Sequence, residues 1–329
     1  MRFLPTGGVR KELTYTDSAF FFDHSVALKL LRFYQDIKPV TEEIDAYRDF
    51  LQLLGCRSKV CDLKTQQGGS GDQPKVQDIL RDCELQVIVL PLSRFYHLGT
   101  MREYVDNICL SESFAKELNV SRFVRSRLVP AEPLVPGSQI SGVVMHSLVH
   151  QQSTIPHSAV LEYCKFQVPV QVGDNCILSN CRLEGLTDSC VQVPGNLIMF
   201  TVSVSGAACK GYVTVAFGID DDLKLSLRDE GKLCYFGQNF AKLVERNVIG
   251  SGSLFKGSAA SVSLWEAKLF SVRPTMTAAF LSTLELVQAV VEGMQRAVGW
   301  ESSTHVSMED ILEWKDISEM LKHQSAIFS

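Results

Sequence analysis

The sequence predicts an α/β segment, then a parallel β-helix, then a mixed region with helices. Three observations carry that fold class. Residues 1–120 alternate strand-like and helix-like apolar patterns, as α/β domains do. From about Ser121 helical periodicity disappears, and a short turn recurs at Val135-Pro-Gly-Ser138, Ile155-Pro-His-Ser158, Val172-Gly-Asp-Asn175 and Val193-Pro-Gly-Asn196. Beyond residue 215 the pattern is mixed, and Phe280, Leu284, Val287, Val291, Met294 and Val298 step by alternate fours and threes.

In the first region, 1–120, Thr16 to Phe22 ends in three phenylalanines and is expected to be a buried strand. Asp23-His24-Ser25 breaks it, and Ala27, Leu30, Leu31 and Tyr34 have the spacing of an amphipathic helix. A second helix follows Pro39, with Ile44, Tyr47, Leu51 and Leu54 as its apolar face and Gly55 as its stop. Gln66 to Asp72 is a Gly-rich surface loop, Leu85 to Leu90 a strand, and Phe95 to Thr100 a strand-to-helix turn.

In the second region, 121–215, the turns start 20, 17 and 21 residues apart. Ile155 and Leu161 are six residues apart, as are Val172 and Leu178. An aliphatic residue at that interval, with a turn returning at near-regular spacing, fits a three-sided parallel β-helix whose coils stack Ile155 beneath Val172. A β-sandwich with regular turns is the alternative. In the third region, 216–329, the four-three stripe predicts a long amphipathic helix stopped by Gly299. Ser307 is expected to cap a final helix carrying Ile311, Trp314 and Leu321.

Composition narrows the function classes. A chain of 329 residues suggests two or three domains. A net charge of −5 and a pI of 5.8 argue against a protein that wraps nucleic acid. The longest apolar run, Val87 to Leu92, is far short of the ~20 residues that span a bilayer, so no membrane partner is expected. The ten cysteines show no closely paired metal spacing. Reduced, mostly buried thiols and a cytoplasmic location follow as expectations.

Several residues have types and positions suited to chemistry. Asp23 and His24 stand where a strand gives way to a helix, the end of an open α/β sheet at which ligands bind. Asp45 and Asp49, four apart, share one side of the second helix. A carboxylate there suits a hydrated Mg²⁺, which takes one or two protein carboxylates plus phosphate oxygens. Helix-dipole stabilisation by Asp23 and simple solvation of Asp45 and Asp49 explain the same residues without a ligand. His97 lies just before a helix, with Gly99 suited to a tight turn and Thr100 to a cap. Arg48 and Arg102 read as surface charges. No Gly-rich phosphate loop, serine-nucleophile motif or paired-cysteine zinc motif occurs in the chain.

Distinct segments, in order, resemble the fucose-1-phosphate guanylyltransferase family. They are Tyr15-Thr-Asp-Ser18, Phe22-Asp-His24, Glu43-Ile-Asp-Ala-Tyr-Arg-Asp-Phe-Leu51, Phe95-Tyr-His-Leu-Gly-Thr100 with Glu103-Tyr104, Val172-Gly-Asp-Asn-Cys-Ile177, Ala216-Phe-Gly-Ile-Asp-Asp221 and Ser263-Leu-Trp265. The resemblance implies the carboxyl-side part of a nucleotidyltransferase-like α/β domain, followed by a left-handed β-helix. It implies transfer of guanylyl from GTP to fucose 1-phosphate, with Mg²⁺ as cofactor and the two substrates as small-molecule partners. It makes Asp45 and Asp49 catalytic, Asp45 also the metal ligand, and Asp23, His24, Tyr96, His97, Gly99 and Thr100 substrate-binding. Asp23, Asp45 and His97 are then expected to converge. The family's amino-terminal nucleotide-binding half has no match here, which suggests a truncated chain. A non-catalytic protein that binds the sugar phosphate, or partners, is the alternative.

Overall fold

In the computed structural model the described residues are 2–3, 12–13, 20–38, 44, 50, 76–80, 83, 94–130, 139–186, 190–206, 209–223, 225, 233–250, 254–255, 263–293 and 304–329. They belong to two compact units, Met1–Phe95 and Tyr96–Ser329. The expected second helix (apart from Ile44), the 66–72 loop, the Leu85 to Leu90 strand, and Asp45, Arg48 and Asp49 lie outside them.

In the first unit, strands β1 (Arg2–Phe3) and β2 (Glu12–Leu13) pair antiparallel. Phe20 to Phe22 are irregular rather than a strand, and the rings of Phe20 and Phe22 gather against Phe50. Asp23 then starts α1 (His24–Asp36), its carboxylate accepting the Val26 amide at 2.8 Å. The helix forms as the spacing predicts, but its packed face is rotated. Val26, Leu30, Phe33 and Ile37 meet Val76 and Leu80 of α2 (Val76–Leu80), while Leu31 and Tyr34 are exposed. The 26-30-33-37 stripe is an equally good helical period, and Phe33 offers a larger apolar surface to bury than Ala27 does.

The second unit is built on a parallel β-helix of four coils. Its first face is β3 (Phe123–Val124), β6 (Val143–Met145), β9 (Val160–Glu162), β12 (Cys176–Ser179) and β15 (Leu197–Ser205). The second face is β4 (Arg127–Val129), β7 (Leu148–His150), β10 (Lys165–Phe166) and β13 (Arg182–Leu183). The third is β5 (Gln139–Ile140), β8 (Thr154–Ile155), β11 (Val170–Val172) and β14 (Val191–Val193). Stacked inward residues form the core: Val144, Leu161, Leu178 and Met199 on the first face. Val149, Phe166 and Leu183 follow on the second, and Ile155, Val172 and Val193 on the third. Gln171 pairs with Thr154, which sets Val172 over Ile155 as the coil spacing predicts. The residue below Ile155 is Ile140, from the first coil's third strand Gln139–Ile140; the Val135 turn lies outside the described residues.

The corners explain how the chain turns without a glycine in every coil. Arg125, His146, Tyr163 and Asn180 hold the same left-handed corner after the first face, with φ between 44° and 52°. Non-glycine residues enter that region at a cost, which stacking and hydrogen bonds here offset. The His146 and Tyr163 rings stack at 5.0 Å, and buried Asn180 donates to the Thr201 carbonyl at 2.7 Å.

β15 pairs antiparallel with β16 (Lys210–Gly218), ending the parallel stack. Helix α6 (Met276–Glu292), numbered after α3 (Met101–Val105), α4 (Glu112–Glu117) and α5 (Phe240–Glu245), packs between two cores. Phe280, Leu284 and Val287 close the β-helix interior, while Leu286, Ala289 and Val290 join the second core. The helix stops at Gly293, whose φ of 66° ends it, rather than at Gly299; Met294 and Val298 lie outside the described residues. The expected last helix is two, α7 (Met308–Trp314) and α8 (Ile317–Ser325). The chain breaks between them because Lys315 bridges to Val204 and the Asp316 amide donates to the Ser203 carbonyl. Four of the eight described cysteines, Cys109, Cys164, Cys176 and Cys181, are buried, and all eight are free thiols.

Candidate active site

The outer side of the first β-helix face is itself apolar: Val143, Val160, Ile177 and Ile198 point away from the interior core. Tyr104, Val105, Ile108 and Cys109 cover it. They come from α3 and from the π-turn Asp106–Leu110 that continues it. A sheet buried on both sides needs such a cover, and the cover carries the candidate site. Arg122 fastens this arm, bonding the Cys109 carbonyl and the His157 ring.

At the start of α3, Thr100 Oγ1 accepts the Glu103 amide at 3.1 Å, and Glu103 Oε2 accepts the Thr100 amide at 3.0 Å. This reciprocal cap follows from the Thr-x-x-Glu spacing. The same Oε2 also accepts the Gly99 amide at 3.0 Å and lies 2.9 Å from His97 Nδ1. The His97 bond, together with those backbone amides, lowers the Glu103 pKa below the usual carboxylate range. Asn107 Nδ2 donates to the carbonyls of His97 and Glu103 at 3.0 and 2.9 Å. Tyr96 donates to Glu117 at 3.0 Å and sets its ring edge-on to Phe114.

Gly99 has a different reason from the tight turn first expected. A Cβ there would collide with the imidazole of His97, so the ring needs this glycine beneath it. Arg102, read from the sequence as a surface charge, is a partially exposed tie: its guanidinium makes a two-pronged pair with Asp220 at 2.9 and 2.5 Å. That pair lowers the Asp220 pKa and raises that of Arg102. Next to it, Asp221 accepts the Gly218 and Phe236 amides at 2.6 and 3.1 Å, yet burial dominates and raises its pKa. Asn196, Gly218, Asp220, Asp221, Phe236 and Gly237 line a cleft of about 570 Å³.

Of the residues expected to act, His97, Gly99 and Thr100 are brought together on Glu103, and Tyr96 is anchored beside them. Asp23 and His24 share the exposed start of α1, where Asp23 is the cap and the Val26 amide lowers its pKa. Asp45 and Asp49, the expected catalytic and metal-binding carboxylates, lie outside the described residues. Among the described residues no group of three or more His, Cys, Asp or Glu has a metal-binding arrangement. Glu103 and the Arg102–Asp220 pair were missed as site residues. The Thr-x-x-Glu signature could have singled out Glu103; nothing local links positions 102 and 220.

A family model, the fucose pyrophosphorylase domain, matches residues 5–275. The chain belongs to this family. Two curated relatives align along 96% of the chain, human fucose-1-phosphate guanylyltransferase at 30% identity and the mouse protein of that name at 31%. Those alignments cover 53% and 54% of the relatives, so the chain spans about half their length. No solved structure matches it. The family's match takes in the His97–Glu103 constellation, the β-helix and all of the 570 Å³ cleft's lining but Val291. Among the described residues no helix is long and apolar enough to cross a membrane.

Proposed function

We propose that this chain serves guanylyl transfer from GTP to fucose 1-phosphate, giving GDP-L-fucose and pyrophosphate. The carrying observation is the fucose pyrophosphorylase match over residues 5–275, supported by two relatives named for that activity. A phosphate oxygen of the sugar phosphate attacks the α-phosphorus of GTP in line, and the bond to pyrophosphate breaks. Such a step needs little proton transfer; positioning and charge neutralisation dominate. Asp45 is assigned to Mg²⁺, which would supply charge neutralisation, and Asp49 to the same catalytic group. Asp23, His24, Tyr96, His97, Gly99 and Thr100 are assigned to the sugar phosphate. The cytoplasm is the proposed compartment, in keeping with the free thiols.

The half-length alignment favours a second possibility, that these 329 residues hold the sugar phosphate without turning it over. Triphosphate binding commonly uses a Gly-rich phosphate-loop motif at a helix N-terminus, and the sequence matches no such motif. One assay separates the two: GDP-L-fucose formation by the purified chain with GTP, fucose 1-phosphate and Mg²⁺, beside Asp45→Ala. Product that the substitution abolishes establishes the full reaction in this chain. Saturable fucose 1-phosphate binding without product establishes the second. Neither binding nor product rejects both.

A further inference from the structure

We propose that the 570 Å³ cleft beside residues 218–222 binds an uncharged ring that carries several hydrogen-bond donors, and not a phosphate or a metal ion. The choice of L-fucose and guanosine as its probes rests on the function proposed above; the chemistry of the cleft does not.

The cleft lies wholly within the second unit, and its volume falls in the range of small-molecule sites, about 300–1,000 Å³. Its lining joins segments far apart in the chain. Asn196 stands just before β15, Gly218 ends β16, and Phe236 and Gly237 form the turn between β17 (Cys234–Tyr235) and β18 (Gln238–Asn239). Asp221 fastens two of these segments together. One of its carboxylate oxygens accepts the Gly218 amide at 2.6 Å and the Phe236 amide at 3.1 Å. A Cβ at Gly218 would meet that carboxylate at 2.8 Å, so the clamp closes only over a glycine. Phe236 is an unusual residue for its turn. It and Gly237 have φ of 50° and 71°. Two-residue turns of this hand favour Asn-Gly, and a bulky side chain there is strained. Strain of this kind persists where the surroundings hold a group in place for use. Here it sets Phe236 in the cleft lining, with its ring edge-on to Tyr235 at 4.6 Å. Val291 of α6 also lines the cleft, and it is 43% exposed although it continues the apolar period of Val287.

The polar groups decide the ligand class. Asp220, Asp221 and Asp222 line the cleft, and none of its described lining residues is Lys or Arg. Arg102 pairs with Asp220 alone. Phosphate oxygens are acceptors and bring negative charge towards these carboxylates, so hydrogen bonding and charge both direct phosphate elsewhere. A divalent cation takes several oxygen ligands at once, and among the described residues no three such groups are arranged for one. A neutral donor, a hydroxyl or a ring N–H, satisfies carboxylate acceptors without either difficulty. Asn175 donates to Asn196 Oδ1 at 2.9 Å, which leaves Asn196 Nδ2 as a donor to an acceptor on the same ring. Leu225, Phe236 and Val291 supply apolar surface for the ring itself. Two groups in the reaction proposed above have this chemistry: the fucose ring through its hydroxyls, and guanine through its amino edge.

Calorimetry of the 329-residue chain with L-fucose, guanosine and inorganic phosphate tests this. Saturable binding of L-fucose identifies the sugar as the occupant, and of guanosine the base. Val291→Trp, which fills the cleft from its exposed rim, should weaken the bound ring at least about tenfold, while Val291→Ala should leave it within about twofold. Any phosphate binding should be the same in both variants as in the wild type. Cys234 gives a second readout that needs no variant, because it lines the cleft. A bound ring should slow its alkylation and leave that of exposed Cys190 unchanged. Three results overturn the proposal: no binding of either ring, binding that Val291→Trp leaves intact, or Cys234 alkylation that the ring does not slow. The assay for GDP-L-fucose decides the functional reading separately. A ring lost in Val291→Trp without any product keeps the cleft and rejects catalysis; product with no ring bound in the cleft does the reverse.

Discussion

Gly99 shows how one residue can serve a site without strain in its own backbone. Its missing side chain leaves room for the His97 imidazole, and a methyl group would force that ring to shift. Because the obstacle is a movable side chain at an exposed turn, Gly99→Ala should change stability by no more than about 0.5 kcal/mol, as surface substitutions usually do. It should nevertheless weaken fucose 1-phosphate binding as much as His97→Ala does. Urea unfolding and calorimetry on the same variant check the two halves of that expectation. The thiols give a second expectation at this scale. Burial pushes the Cys176 thiol up to about 12, and Cys164 is raised well above the ordinary range by the same cause. Thiolate is the reactive form, so both should resist alkylation in the native chain while exposed Cys190 reacts first. Mass spectrometry after a short iodoacetamide pulse would show the order. Modification of Cys176 as fast as Cys190 would mean that the coil opens readily.

At the scale of elements, the β-helix coils and the carboxyl-terminal helix respond to different things. Leu178 stacks between Leu161 and Met199 in the interior. Leu178→Ala should cost about 2–5 kcal/mol, the range for emptying a buried leucine site. Leu321, 57% exposed on α8, should cost almost nothing when changed to alanine, as denaturant unfolding can show. Helix α8 instead docks through polar contacts. Tyr212 and Glu319 meet His323 Nε2 at 3.0 and 3.2 Å, and Arg182 donates to the His323 carbonyl at 2.6 Å. Arg182 and Lys165 in turn bond Glu184. Burial, and then the Arg182 charge, lower the His323 pKa, outweighing the opposite pull of Glu319 and Glu184. A histidine whose pKa falls on docking binds fewer protons when docked. Its contribution is therefore present above the free value of ~6.5 and is lost as pH falls from there through the lower docked value. Protection of the α8 amides, corrected for the intrinsic slowing of exchange in acid, should fall as pH drops below the free value of ~6.5, and His323→Asn should flatten that dependence. An unchanged pH profile in the variant would show that His323 is not the group responsible.

At the scale of the whole chain, the coils were legible because a β-helix writes itself locally. The six-residue step from Ile155 to Leu161 crosses a corner to the next coil, and Val172 to Leu178 repeats it one coil on. The Val135 turn of the first coil lies outside the described residues, and that coil's third strand is Gln139–Ile140. Helix α6 was found but overextended, since Val291 keeps the period although it is exposed and the glycine stop comes two residues later. The packed face of α1 was misplaced because that helix is apolar on more than one side, and only its neighbours decide which side is buried. In the site, the cap at Thr100 was readable from its residue type, and the family segments pointed to His97. The Arg102–Asp220 tie was not, because 118 residues separate its ends and only the finished fold brings them together.

The central proposal is that this chain binds fucose 1-phosphate, and not merely its phosphate group. The most direct measurement is a calorimetric titration of the purified 329-residue chain with fucose 1-phosphate in Mg²⁺, beside the same titration with inorganic phosphate. Saturable binding of the sugar phosphate, at least about tenfold tighter than phosphate alone, is the result expected from even one added hydrogen bond. No saturable binding, or equal affinity for the two, would contradict it.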